Sequence, residues 1–406
     1  MAIHVSKISG LGGALAAKTN VTDRVADPGA VINRPVVATR CSSYSAGLSD
    51  GVVTGGTYRV QHNATRTAAD LQVVYGNFYN IDVDGPNDIT ISSAAIETPS
   101  GTFYPLFFGG QRSATIKPGG LLVSDPVGVD IASGAAFYTR TYVTVASAGQ
   151  KWPLGLTTQT TNGEGNNASA APSDLSTSGT VPTAFAFAYH PLAIVGACSP
   201  RNQATLALIG DSIFRGQADT PNDNGYIIRA INKTVGHINL SMAGEQALNF
   251  QGTTRARRIR LARGCSHALV QLGVNDMGNG RTLVQIQADL LNIWNALSLR
   301  GCKVYQCTIT PSTNSSDSYA TTVNQTPKSA AFGPGVCIRT QLNDWIRTVP
   351  APLSGCIEVA DAVESARNSG LWLPNYTNAG DGTHPNVAAC TTIASAISAQ
   401  VQSLSV

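Results

Sequence analysis

Thr205-Leu206-Ala207-Leu208-Ile209-Gly210-Asp211-Ser212-Ile213 is a short apolar run followed by a turn that delivers a hydroxyl. Four similar runs follow it: His237–Ser241, His267–Leu272, Lys303–Ile309 and Cys356–Ala360. Helical patterns lie between them. The clearest is Arg281–Arg300, where Leu283, Ile286, Leu290, Trp294 and Leu297 recur at spacings of three and four. Gly301 then supplies a stop. Val336–Val349 and Val387–Leu404 read as further helices. Strand–helix alternation of this kind predicts a parallel sheet with helices on both faces, an α/β domain over residues 201–406.

The chain before it has a different rhythm. Leu71–Tyr79, Ile89–Ile96, Thr102–Phe108, Gly120–Val123 and Ala136–Val145 have strand composition. Turn signals separate them, among them Asp84-Gly85-Pro86-Asn87 and Lys117-Pro118-Gly119-Gly120. Short strands at this spacing predict an all-β sandwich, jelly-roll-like, over residues 35–200, after an N-terminal extension 1–34. Residues 156–182 are polar and rich in Gly, Ser, Thr and Asn, and read as a long loop or linker. Residues 311–335 carry Pro311, Pro327 and Pro334 and no clear period. A loop of that length is functional or mobile, and covering the active site is one role open to it.

In an open parallel sheet, ligands sit outside the carboxyl ends of the strands. The residues just beyond those ends are Gly210-Asp211-Ser212, Met242-Ala243-Gly244, and Gly273-Val274-Asn275-Asp276. Near the end of the chain lies Asp381-Gly382-Thr383-His384-Pro385. Together they supply what acyl transfer requires. Ser212 is the candidate nucleophile, and a serine hydroxyl needs a base to take its proton. His384 is the candidate base. Asp381, three residues earlier, is placed to fix the ring's tautomer and stabilise the imidazolium. The oxyanion then needs preorganised donors: the backbone N–H groups of Ser212 and Gly244 and the Asn275 amide. Asp211 and Asp276 read as structural partners within their turns. His4, His62, His190, His237 and His267 read as structural too. Trp152, Trp294, Trp345 and Trp372 read as core or helix-face residues, although Trp372, just before the His384 block, is also a candidate pocket lining.

These four blocks, in this order, resemble the SGNH/GDSL hydrolase superfamily of esterases and lipases. Its Ser, Gly, Asn and His correspond to Ser212, Gly244, Asn275 and His384. Its G-D-S-L block reads Gly210-Asp211-Ser212-Ile213 here, its G-x-N-D block spans Gly273 to Asp276, and its D-x-x-H block spans Asp381 to His384. G-x-N-D also occurs at Gly85-Pro86-Asn87-Asp88, where it reads as a turn. The resemblance covers roughly residues 203–406. It implies a flavodoxin-like three-layer α/β/α fold and Ser-His-Asp chemistry with no metal and no cofactor. The β half resembles, more loosely, the jelly-roll domains of bacterial and phage carbohydrate esterases. The expected activity is hydrolysis of carboxylic esters, with an O-acetylated carbohydrate as the expected substrate. A lipase or thioesterase-type acyl hydrolase on the same triad stays open. So does a glycan-binding virion or surface adhesion protein.

Composition narrows the field further. The chain has 406 residues, 43% hydrophobic and only 13% charged. Wholesale disorder is excluded by that balance. Residues 1–200 hold 11 Lys+Arg against 12 Asp+Glu, and the remainder 16 against 12. Neither half has the basic excess of a nucleic-acid binder. One basic cluster, Arg255, Arg257, Arg258, Arg260 and Arg263, reads as a solvated helix face, with a patch for an anionic substrate as the alternative. No stretch approaches the ~20 apolar residues of a membrane span. Met1 to Ala17 lacks a continuous apolar core and reads as a poor secretory signal, although the neutral, hydroxyl-rich composition leans toward an extracellular or virion-associated protein. The eight cysteines form no C-x-x-C, which speaks against zinc. Disulfides and buried free thiols stay equally open, with roughly a hundred pairings available. Oligomeric state is not legible.

Overall fold

A computed structural model describes residues 34–169, 171–200, 203–219, 224–251 and 256–404. The expected N-terminal extension lies, apart from Arg34, outside the described residues.

The C-terminal half is built on a parallel sheet. Its strand order is Cys41–Ser42, Gly236–Asn239, Thr205–Gly210, His267–Gln271, Lys303–Cys307, Gly355–Ile357. Leaving out the first, this is the flavodoxin-like order, in which the first strand in sequence lies between the second and the third. The strand Thr205–Gly210 is buried throughout, because it is covered on both faces. On one side the helix Gly225–Ile231 packs on Val387–Gln402. Elsewhere Leu283–Ser298 packs on Ile338–Arg347, where Trp294 stacks on Trp345 with ring centroids 5.0 Å apart. The helix predicted at Arg281–Arg300 runs Leu283–Ser298 and opens with a capping box of Thr282 and Gln285.

The strand Cys41–Ser42 comes from the other half of the chain. Cys41 pairs with Ile238 and Ser42 with Asn239, in parallel. The β-rich half therefore completes the edge of the α/β sheet rather than merely preceding it.

Among its described residues that half holds two larger antiparallel sheets and two two-stranded ones, Gly47–Leu48 with Pro153–Leu154 and Phe78–Tyr79 with Val83–Asp84. Of the larger two, one runs Gly165–Asn166, Gly55–Asn63, Ala136–Thr144, Ile89–Glu97, Phe103–Pro105, and the other Leu121–Val123, Thr67–Gly76, Ala193–Ser199. Tyr75 from the second meets Thr141 from the first in a buried 2.8 Å hydrogen bond. Composition alone misses the strand Gly55–Asn63, because Arg59, Gln61 and His62 break its apolar pattern. Arg59 and Gln61 find partners in the 156–182 stretch, at the Gly163 carbonyl and Glu164, while the His62 ring bonds the Thr39 carbonyl and the Thr139 hydroxyl. Glu164 is buried and accepts from the Gln61 N–H and from Arg40, and Arg140 donates to the Leu175 and Gly179 carbonyls. The stretch is thus a loop laid across a polar sheet face, not a linker between halves.

The arginine cluster also departs from expectation. Arg257 and Arg258 are buried, Arg260 is half-buried, and of the described members only Arg263 is exposed; Arg255 lies outside the described residues. Burial is tolerated because acidic residues of the β half face them: Asp84 meets Arg257 at 2.5 Å and Asp82 meets Arg258 at 2.7 Å. All eight cysteines are free thiols. Among the described residues no helix is long and apolar enough to cross a membrane, and no three His, Cys, Asp or Glu side chains are grouped to hold a metal ion.

Candidate active site

Ser212 follows the carboxyl end of Thr205–Gly210 and is the first residue of the short helix Ser212–Arg215. Asp211 caps that helix, its Oδ1 accepting from the Ile213 N–H at 2.9 Å. Asp211 is fully buried. Desolvation raises its carboxyl to about 7, against the opposing pull of the Ile213 N–H and the His384 charge. It caps the helix and shapes the turn that presents Ser212. As first helical residue, Ser212 also carries an N–H with no acceptor inside the helix.

His384 arrives from the far end of the chain, 172 residues later, and its Nε2 lies 2.7 Å from Ser212 Oγ. Its Nδ1 lies 2.8 Å from Asp381 Oδ2 and 3.1 Å from Oδ1. Oδ1 also accepts from the N–H groups of Thr383 and His384, at 3.0 and 3.2 Å. Burial pushes the Asp381 carboxyl up, but the His384 ring and these N–H groups together hold it below the ordinary value. Asp381 therefore stays ionised opposite the ring. Ser212 is 8% exposed, so the hydroxyl sits in a recess yet is not sealed.

The loop carrying Asp381 and His384 is pinned from several sides. Trp372 is wholly buried, and its Nε1 donates to the Gly382 carbonyl at 3.0 Å. It braces the loop from behind and is core, not pocket lining. The Thr313 N–H donates to the same carbonyl at 2.9 Å. Gln325 grips the Trp372 backbone twice, accepting from its N–H and donating to its carbonyl. Lys328 Nζ donates to the Asp381 carbonyl and the Thr383 hydroxyl. The 311–335 segment thus contains a small hairpin, Thr313–Ser315 with Gln325–Pro327, that buttresses the Asp381–His384 loop. Sequence reasoning singled out the segment but not Lys328, Gln325 or Thr313; its length between Lys303–Ile309 and the last helices was the only signal.

Gly244 and Asn275 follow the strands on either side of Thr205–Gly210, so both flank the Ser212 turn. Gly244 is exposed, with φ +75. The Asn275 amide donates to the Glu245 carbonyl at 3.0 Å, which leaves its second N–H for another acceptor. Asp276 accepts from the Ala247 and Leu248 N–H groups, so it ties down the same loop and serves the turn. The structure thus joins Ser212, His384 and Asp381 in one hydrogen-bonded line, and joins Asn275 to the Gly244 loop.

His62, His190, His237 and His267 are buried away from this line. His4 lies outside the described residues.

Residues 208–390 match the model of the GDSL-like Lipase/Acylhydrolase family. No curated protein matches the chain. Among solved structures, a GDSL-like lipase from Bacteroides thetaiotaomicron is similar at 15% identity and a TM-score of 0.35, over 49% of this chain and 87% of that one. A mutant of the acetyl-xylooligosaccharide esterase Axe2 from Geobacillus Stearmophilus is similar at 14% identity and a TM-score of 0.35, over 49% and 94%. A protein from Bacillus subtilis is similar over 84% of this chain and 79% of that one, at 13% identity and a TM-score of 0.35.

Proposed function

Starting from the GDSL-like lipase/acylhydrolase domain at residues 208–390, we propose that the protein is a serine esterase using Ser212, His384 and Asp381. The observation that carries this reading is the unbroken line from Ser212 Oγ through the His384 ring to the Asp381 carboxylate. Ser212 Oγ attacks the ester carbonyl while His384 Nε2 takes its proton. Asp381 holds Nδ1–H and stabilises the imidazolium that forms. The Ser212 and Gly244 N–H groups and the free N–H of Asn275 receive the oxyanion. His384 then returns the proton to the leaving alcohol, and water repeats the sequence on the acyl-enzyme.

The acyl group we propose is acetyl, on a carbohydrate. With only 13% of residues charged, the protein meets its surroundings through neutral hydroxyls and amides, the groups that a glycan offers in return.

Ser212→Ala removes the nucleophile and is expected to lower kcat for p-nitrophenyl acetate by about 10⁴-fold or more. Near-native hydrolysis by Ser212→Ala would overturn the assignment. Acetate release from acetylated polysaccharides, beside a chain-length series of p-nitrophenyl esters, tests the substrate. A preference for acyl chains beyond about eight carbons would replace the acetyl reading with a lipase-type one, since each added methylene then contributes to binding.

A further inference from the structure

Arg258 lies on the helix Ala256–Leu261 and is wholly buried. Its Nε donates to Asp82 Oδ2 at 2.7 Å, its Nη2 to Glu245 Oε2 at 2.5 Å, and its Nη1 to the Leu240 carbonyl at 3.0 Å. The Asp82 and Glu245 side chains are as fully buried as the guanidinium. Phe250 lies against the guanidinium, 4.5 Å from ring centroid to Cζ. One cation therefore holds two carboxylates from different halves of the protein.

Both carboxylates have telling neighbours. Glu245 follows Gly244 in the chain, and its carbonyl receives the Asn275 amide. Asp82 sits in the hairpin of Phe78–Tyr79 and Val83–Asp84, part of the β half. That hairpin is docked a second time, by Asp84 on Arg257 and by Phe78 under the Arg257 guanidinium at 5.0 Å.

A buried ion triad is a poor source of stability, since apolar residues of like volume usually serve as well. What it does supply is direction. A guanidinium binds carboxylates only along its fixed N–H vectors, so Arg258 transmits the position of one carboxylate to the other. Here the transmitted position is that of the loop that bears one proposed oxyanion donor, Gly244, and holds the amide of a second, Asn275, through the Glu245 carbonyl.

We propose that Asp82, acting through Arg258 and Glu245, positions the Gly244 loop for oxyanion binding. The β half then governs the acyl-transfer rate without touching substrate. This rests on the reading of Ser212 as nucleophile and Gly244 as oxyanion donor. Asp82 is a positioning residue.

The test uses the full chain, with kcat and KM for p-nitrophenyl acetate measured per active site titrated by a serine-directed phosphonate. Asp82→Asn keeps the shape and one hydrogen bond but removes the charge. It is expected to lower kcat about 10- to 100-fold with KM changed less than about threefold, the pattern of lost transition-state binding. Asp84→Asn, on the neighbouring arginine, is expected to leave both constants unchanged. A folded Asp82→Asn with native kcat per titrated site would overturn the proposal, even if its melting temperature falls. Should Asp82→Asn not fold, Glu245→Gln tests the other end of the bridge, and native kcat there overturns it equally. Ser212→Ala runs alongside. If that variant stays active, the premise fails and the inference falls with it; if it is inactive while Asp82→Asn is native, only the inference falls.

Discussion

Asp381 holds the His384 ring through both carboxylate oxygens and accepts two backbone N–H groups besides, so its own orientation is fixed before it fixes the ring. Asp381→Asn retains the shape but presents the ring with an amide. Where that amide turns its N–H toward Nδ1, the ring's proton is forced onto Nε2, and the base can no longer accept from Ser212. The expected result is a loss of about 10⁴-fold in kcat with little change in KM or melting temperature. Steady-state kinetics beside thermal melting checks it. Asp211, one residue before the proposed nucleophile and equally acidic, is not interchangeable with Asp381. Its Oδ1 is committed to the Ile213 N–H, and burial raises its pKa to about 7 instead of keeping it ionised.

At the scale of elements, the Asp381–His384 loop depends on Gly382. A Cβ there would stand 1.8 Å from the Thr313 carbonyl oxygen and 2.0 Å from the Tyr319 hydroxyl, and the residue sits at φ +65. Both obstacles belong to the hairpin segment that buttresses the loop. Gly382→Ala must therefore push the loop and the hairpin apart, destabilising the protein by about 1–3 kcal/mol. Because the displaced loop carries His384, kcat is expected to fall about 100-fold as well. Denaturant unfolding and kcat, measured together, read both effects. The same elements show what sequence can and cannot yield. Thr205–Gly210, His267–Gln271 and Leu283–Ser298 were legible because their apolar periods answer to burial, which is local information. Ser212 and Asn275 stood out as residues beyond strand ends, and His384 through the Asp381–His384 block, as candidates. The buttress was not legible, since Trp372, Gln325 and Gly382 are brought together only by tertiary folding. Gly55–Asn63 was hidden for a related reason: its Arg59 and Gln61 are satisfied by a loop about a hundred residues away in the chain.

Across the whole molecule, four buried histidines lead the response to acid, opposed by Asp211, whose carboxyl, raised by burial to about 7, favours the folded state as pH falls. Burial holds His62 down to about 3 and His190, His237 and His267 down to about 4; the Arg40 charge adds to the effect for the first three named, and Lys303 for His267. The unfolded chain titrates them near 6.5. Between those values the unfolded state binds more protons, so stability rises with pH across the window and drains away as pH falls from about 6.5 toward 4. At about 1.4 kcal/mol for each tenfold loss of proton affinity on folding, even one such histidine matters against a marginal total. Calorimetry is expected to show a melting temperature that is flat above pH 7 and drops steeply below 6. A flat profile down to pH 4 would contradict it.

The pairing of Cys41–Ser42 with Gly236–Asn239 has a further consequence. A parallel sheet left with a bare outermost strand offers its unpaired N–H and C=O groups to any other chain, and self-association is the usual result. Here two residues from the opposite half occupy part of that margin. The N-terminal half therefore pairs part of a margin that would otherwise be bare, beside the strand from which the chain runs on to Gly244.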